Sequence, residues 1–121
     1  MPGQILVVDD DPTLRQLAVL HLGAAGYSVR AVDDGIAAGY AVLESPPDLI
    51  LCDIHMPRMT GLEFVQALRA DHTLPRIPVV FLTSEEEHAD YAHLGVVDYL
   101  LKPLRADALL ATVAKHLRPS G

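Results

Sequence analysis

At 121 residues the chain has room for one domain, at roughly 100–200 residues per domain, and residues 1–121 are read as a single unit. Half of the residues are apolar and 21% are charged, which excludes a disordered chain, and no apolar run approaches the roughly 18–20 residues of a membrane span. Nine Lys and Arg against 16 Asp and Glu leave a net charge of −7, which makes the chain a poor candidate for gripping a nucleic-acid backbone directly and favours a basic partner face or a site built from carboxylates.

The first predicted element is the apolar run at residues 5–8, too short for a signal peptide and running directly into acid. A helix follows, with Leu14, Leu17, Ala18, His21, Leu22 and Ala25 on one face. Asp11-Pro12 opens it as cap and first-turn proline, and Gly26 closes it. Residues 27–32 alternate around Ser28 and Arg30, the pattern of a more exposed edge strand, and a second helix over 36–43 follows Asp34-Gly35. The runs at 49–52, 79–82 and 96–101 carry apolar side chains in succession, the last interrupted only by Asp98, which predicts strands buried on both faces. Between them, Thr60 and Glu63 form a capping box for a helix carrying Leu62, Val65 and Leu68. Residues 86–94 read as a short fourth helix ended by Gly95, and Ala106, Leu110, Val113, Ala114 and Leu117 mark a fifth. Strands alternating with helices argue for an open parallel sheet covered on both faces. Cys52, the single cysteine, rules out an internal disulfide and any cysteine metal cluster, and fits a reducing compartment. The expectation is a soluble, cytoplasmic protein.

Ligands of such sheets bind beyond the carboxyl ends of the strands. Strand one ends in Asp9-Asp10-Asp11, strand three in Asp53 and strand four in Thr83-Ser84, and strand five is followed by Lys102-Pro103. Any one of these has an ordinary structural explanation, Asp11 as a cap above all, but together they gather carboxylates, hydroxyls and an ammonium on one edge. Asp9, Asp10 and Asp53 against Lys102 leave two negative charges in excess, which a hard divalent cation such as Mg²⁺ would cancel. A carboxylate beside such a cation, an ammonium and a hydroxyl is equipped for phosphoryl transfer.

The four segments Ile-Leu-Val-Val-Asp-Asp-Asp-Pro, Leu-Ile-Leu-Cys-Asp-Ile-His-Met-Pro-Arg-Met-Thr-Gly, Phe-Leu-Thr-Ser and Asp-Tyr-Leu-Leu-Lys-Pro resemble, in this order, the receiver domain of bacterial two-component response regulators, of the chemotaxis-regulator type. The resemblance covers nearly the whole chain. It implies an α/β, flavodoxin-like (βα)5 doubly wound fold, with a five-stranded parallel sheet in the order 2-1-3-4-5. It implies that Asp53 accepts a phosphoryl group from the phosphohistidine of a sensor histidine kinase or phosphotransfer protein. Mg²⁺ would be bound by Asp10, Asp53, the His55 backbone carbonyl and, through water, Asp9. Thr83 and Lys102 would stabilise the phosphoryl group, Thr83 and Tyr99 would form the switch, and His55 and Ser84 would modulate phosphoryl lifetime. Lys102-Pro103 would be a cis peptide, which proline permits. Met56-Pro57 and Gly61 match the loop after the phosphorylated strand. The module would catalyse only its own phosphorylation and dephosphorylation, act on an output partner or domain, bind neither nucleic acid nor membrane itself, and leave room for a phosphorylation-dependent dimer.

The segment from Thr83 to Lys102 is roughly one helical turn shorter than the family's usual length. Three other readings compete. An aspartyl-phosphate phosphatase wants a second acid near the nucleophile, where this chain has His55. A flavin domain needs a Ser/Thr/Gly-rich phosphate loop where this chain has three Asp. A receiver signalling by contacts alone would not need the acceptor set. His21, His72, His88, His93 and His116 lack ligand spacing, and Cys52 reads as a core residue.

Overall fold

The computed structural model describes residues 3–85 and 89–117. Strands β1 (Gln4–Val8), β2 (Ser28–Val32), β3 (Leu49–Asp53), β4 (Val79–Thr83) and β5 (Val96–Leu101) form one parallel sheet in the order β2-β1-β3-β4-β5. Helices α1 (Pro12–Ala24), α2 (Gly35–Glu44), α3 (Gly61–Ala70) and α4 (Ala106–His116) cover it. The doubly wound class and strand order match the expectation, and β2, at one edge, is the partly exposed strand that its alternation announced.

The central strands carry apolar side chains in succession because neighbouring side chains enter two different cores. Leu6, Val8, Ile50, Cys52, Val79 and Phe81 pack with Ala38 and Val42 of α2 and with Phe64, Val65 and Leu68 of α3. Ile5, Val7, Leu49, Leu51, Val80 and Leu82 pack on the other side with Leu14, Ala18 and Leu22 of α1 and with Leu109 and Val113 of α4. Local signals set the helix starts. The Asp11 carboxylate accepts the Thr13 N–H at 2.9 Å with Pro12 in the first turn, and the Asp34 carboxylate accepts the Ala37 N–H at 2.8 Å. Thr60 and Glu63 form the reciprocal box, at 3.1 and 2.9 Å. At its other end α2 is closed by Arg30 of β2, which donates to the carbonyls of Ala41 and Ser45.

Two expectations need correction. The predicted fourth helix is a single 3-10 turn, Ala92–Leu94, and neither Glu85 nor residues 89–91 are helical; residues 86–88 lie outside the described residues. Tertiary contacts hold this compact form. Asp90 caps the Ala92 N–H at 2.9 Å, Arg76 donates to the His93 carbonyl at 2.8 Å, and Arg69 of α3 donates to the carbonyls of Leu94 and Ile77. Gly95, at φ 79°, ends the turn in the left-handed region. The second correction concerns β5, which is not buried on both faces: Val97 and Leu101 are exposed. β5 is the far edge of the sheet, and Val79 and Val80 pair with Val96 and Asp98, so Val97 is the extra residue of a bulge.

Candidate functional site

The loop after β1 leads to α1 on one face of the sheet, and the loop after β3 leads to α3 on the other. Diverging loops between neighbouring strands open a crevice at their carboxyl ends, and the acidic residues stand there. Asp53 is the last residue of β3 and only 4% exposed. Its Oδ1 accepts the His55 N–H at 3.1 Å, and its Oδ2 lies 3.1 Å from Lys102 Nζ. Asp9, just after β1, is wholly buried. Its Oδ1 accepts the Asp11 N–H at 2.9 Å, and Arg15 of α1 donates to its carbonyl at 2.8 Å. Lys102 Nζ stands 2.9 Å from Asp9 Oδ2, but off the direction of a hydrogen bond, so among the described residues that buried oxygen has an ion-pair partner and no hydrogen bond. Asp10 is exposed beside them, and carboxylate oxygens of Asp9, Asp10 and Asp53 all lie within 4.8 Å of one another.

The remaining predicted residues surround this cluster. Thr83, buried at the end of β4, accepts the Glu85 N–H on its hydroxyl at 3.1 Å, and its carbonyl accepts the Lys102 N–H at 2.7 Å. That bond ties the end of β5 to the end of β4, and the Lys102–Pro103 peptide that follows is cis. His55 and Ser84 are exposed, and His55 Nε2 stands 3.9 Å from Glu85 Oε1. Tyr99 is half-buried, its ring 6.0 Å from that of Phe81, and its hydroxyl donates to the Ala89 carbonyl at 2.7 Å. The cluster proper is therefore Asp9, Asp10, Asp53 and Lys102, with Thr83 at the adjoining strand end and Tyr99 turned toward the 3-10 segment.

Two buried carboxylates share one ammonium, and the titration directions follow. Burial and the Asp9 charge push the Asp53 carboxyl above its usual range, against the opposing pull of the His55 N–H and Lys102. Burial alone would depress Lys102, but Asp9 and Asp53 outweigh it and hold the ammonium above its ordinary value. Burial, helped by Asp53, drives the Cys52 thiol strongly upward, so it is inert. The residues fit a hard cation: the donors are all oxygens, negative charge is in excess, and one buried carboxylate oxygen is short of hydrogen bonds.

A carboxyl whose folded-state pKa is raised costs stability at neutral pH, and that cost disappears as pH falls through the raised value. Asp53→Asn removes the same cost without acid. It is expected to stabilise the fold by about 1 kcal/mol, about 3–5 °C in melting temperature. A lower melting temperature in thermal unfolding of the variant would contradict this electrostatic picture.

Fold and site together define a doubly wound α/β module with an acidic, lysine-backed pocket at the carboxyl edge of its sheet. The model of the response regulator receiver domain matches residues 5–114, and the chain belongs to that family. The DNA-binding response regulator MtrA of Mycolicibacterium smegmatis is 37% identical over 121 residues, covering 98% of this chain and 52% of the relative. RpaA of Synechocystis, a DNA-binding dual master transcriptional regulator, is 36% identical over 118 residues, covering 95% of this chain and 49% of its own. The chain thus spans about half the length of these relatives. Among solved structures, the chemotaxis response regulator CheY4 of Vibrio cholerae superposes with a TM-score of 0.89 at 32% identity, over 97% of this chain and 100% of that one.

Sequence reasoning missed two residues near the site, Arg15 and Arg58, and placed a third, Gly61, only by its match to the loop after the phosphorylated strand. Arg15 holds the Asp9 carbonyl, and its position one turn into α1, just after the acidic run, was an available signal. Arg58, at φ 69°, reaches from the β3–α3 loop to the α2 cap Asp34 at 2.8 Å. Gly61 lies so close to β3 that a Cβ there would stand 2.4 Å from the Asp53 carbonyl oxygen.

Proposed function

We propose that this receiver domain takes a phosphoryl group onto Asp53 from the phosphohistidine of a sensor histidine kinase or phosphotransfer protein. One observation carries the reading. A carboxylate ends an otherwise apolar, buried strand, with an ammonium at 3.1 Å and two further carboxylates gathered around it. In the transfer, an Asp53 oxygen attacks phosphorus, the phosphorus–nitrogen bond of the donor breaks, and the imidazole leaves with the electron pair and takes up a proton. Lys102 is held charged at the acceptor and turns from carboxylate to phosphoryl oxygen, and the Thr83 hydroxyl supplies a further donor. Asp10, Asp53 and the His55 carbonyl, with Asp9 through water, would hold Mg²⁺, which when bound neutralises phosphoryl oxygens. When Thr83 turns to the phosphoryl group, Tyr99 responds as the switch, while the exposed His55 and Ser84 control access of water to the acyl phosphate. The module acts on itself rather than on a separate substrate. It works in the cytoplasm as a single unit over 1–121, through an output partner or domain, and a phosphorylation-dependent dimer fits this scheme.

Incubation with acetyl phosphate and Mg²⁺, followed by intact-mass measurement, should add one phosphoryl group to the wild type and none to Asp53→Asn. A melting curve of Asp53→Asn, recorded alongside, separates loss of labelling from unfolding. Equal labelling of both would overturn the assignment.

Metal dependence separates two neighbours of like charge. The Asp11 carboxylate is engaged by the Thr13 N–H, whereas Asp10 faces solvent within the acidic group. Asp10→Asn should weaken Mg²⁺ binding by about tenfold or more and Asp11→Asn by far less. Calorimetric titration reads this directly, and so does the melting temperature, because a ligand at 100 times its Kd adds about 2.7 kcal/mol of stability. Equal losses would mean that Asp11 is a ligand.

A further inference from the structure

A groove of about 330 Å³ runs between α2 and α3, at the low end of the size range of ligand pockets, and the carboxylate cluster is not part of it. Its α2 wall is Ile36, Tyr40 and Leu43, at helical positions i, i+4 and i+7, and these are 50, 73 and 61% exposed. Met59, Phe64, Leu68 and Leu74 add to the apolar lining. Large apolar side chains presented to water in one stripe of a surface helix mark a surface that is covered at some point in the protein's work.

The charge around the groove says what covers it. Helix α2 contains no Lys or Arg, and Arg30 of β2, which reaches its end, is committed to the carbonyls of Ala41 and Ser45. The single cation of α3, Arg69, is committed to the carbonyls of Leu94 and Ile77, and Arg58 at the head of α2 is paired with Asp34. The one charged residue in the lining is Asp71, whose carboxylate accepts from the Thr73 N–H and hydroxyl and is thereby kept ionised. Glu44 and Glu63, both exposed, add negative charge on the two helices. A second copy of the chain would bring the same carboxylates and another net charge of −7 to the contact.

We propose that the α2–α3 groove docks a cationic amphipathic helix of a partner protein. Apolar side chains spaced i, i+4 and i+7 on that helix enter between Tyr40, Leu43 and Leu74, and flanking Lys or Arg meet Asp71 and the acidic surround. The surface is independent of the phosphoryl site, so the test uses the unphosphorylated chain.

Two synthetic helical peptides serve as probes, both with Leu at i, i+4 and i+7, one flanked by Lys and one by Glu. Titrated into the nitrogen-15-labelled chain, the Lys peptide should shift amide resonances within 35–43 and 64–74. Leu43→Glu should weaken it by about tenfold or more, and the Glu peptide should bind at least about tenfold more weakly to the wild type. Tyr40→Ser is the second variant, and since both side chains are mostly exposed, melting curves should match the wild type. Absence of shifts in α2 and α3 at saturating peptide overturns the proposal. So do equal binding of the two peptides and unchanged binding in Leu43→Glu. Concentration-dependent dimerisation abolished by Leu43→Glu would instead assign the groove to a second copy and overturn the proposed partner.

Discussion

Phe81→Ala is expected to remove about 3–5 kcal/mol of folding free energy, a large share of the roughly 5–15 kcal/mol by which a domain is stable. Phe81 is fully buried at the middle of β4, against the α2–α3 side of the sheet. Two further rings rest on it, Tyr91 edge-on at 6.1 Å and Tyr99 tilted at 6.0 Å, and pairs of this kind add about 0.5–1.5 kcal/mol beyond area burial. Truncation therefore leaves a cavity and also frees the ring that anchors the residues before the 3-10 turn. Urea denaturation should show a lower midpoint with an unchanged slope. A loss below about 1.5 kcal/mol would show that Tyr91 and Tyr99 collapse into the space, since the cost of such truncations depends on how far the site can close.

Gly61→Ala should harm both the fold and the chemistry. The added Cβ would meet the Asp53 carbonyl oxygen at 2.4 Å, the Ile54 Cα at 3.0 Å and the Asp53 carbonyl carbon at 3.2 Å. All three are backbone atoms, so no side chain can turn aside. The Gly61 N–H also donates to the Ile54 carbonyl at 2.8 Å, which pins α3 to the chain just beyond Asp53. Either α3 or the end of β3 must shift, at a cost of about 1–3 kcal/mol. In the role proposed for Asp53, displacing its carboxylate by as little as 1 Å is expected to slow transfer by on the order of 100-fold. The initial rate of labelling by acetyl phosphate, measured below the unfolding transition, reads the second effect separately from the first. Gly39→Ala is the control, because nothing lies within 4 Å of a Cβ there and a mid-helix Ala should stabilise by about 0.5–1 kcal/mol. Unchanged labelling in Gly61→Ala would mean that α3 alone absorbs the shift.

Most of the frame was legible in the sequence because its signals are local. Four apolar runs, one alternating run, the Asp11-Pro12 start and the Thr60–Glu63 box each point to one kind of element, and each element is present in the structure. The acidic cluster was legible because a carboxylate such as Asp53, ending an apolar strand, is expensive without a reason. What escaped depends on distant partners. Residues 86–94 have helical composition, yet the described part is a 3-10 turn held by Arg69, Arg76 and the ring of Phe81, none of which is near it in sequence. The bulge at Val97 comes from pairing with β4, and the burial of Asp9 from the shape of the crevice, so neither leaves a mark in its own segment. The α2–α3 groove was hidden for a further reason. Ile36 and Leu43 bound the predicted second helix, and only the packed structure shows that both remain outside the core.

The sheet also works as a partition. Among the described residues, Leu51 and its neighbour Cys52 point to opposite sides, as do Val80 and Phe81, and no buried side chain belongs to both cores. A volume change under α1 and α4 is absorbed on that side, and one under α2 and α3 on the other. Substitutions made across the partition, far enough apart to share no partner, should combine to within about 0.5 kcal/mol, while neighbours within one core couple by about 0.5–3 kcal/mol. A lineage can then rework the helices and grooves of one face, and with them the proteins it meets there, while the opposite face keeps the strand ends in register. Change on one helical face and preservation of the acidic strand ends are, in this architecture, separable problems.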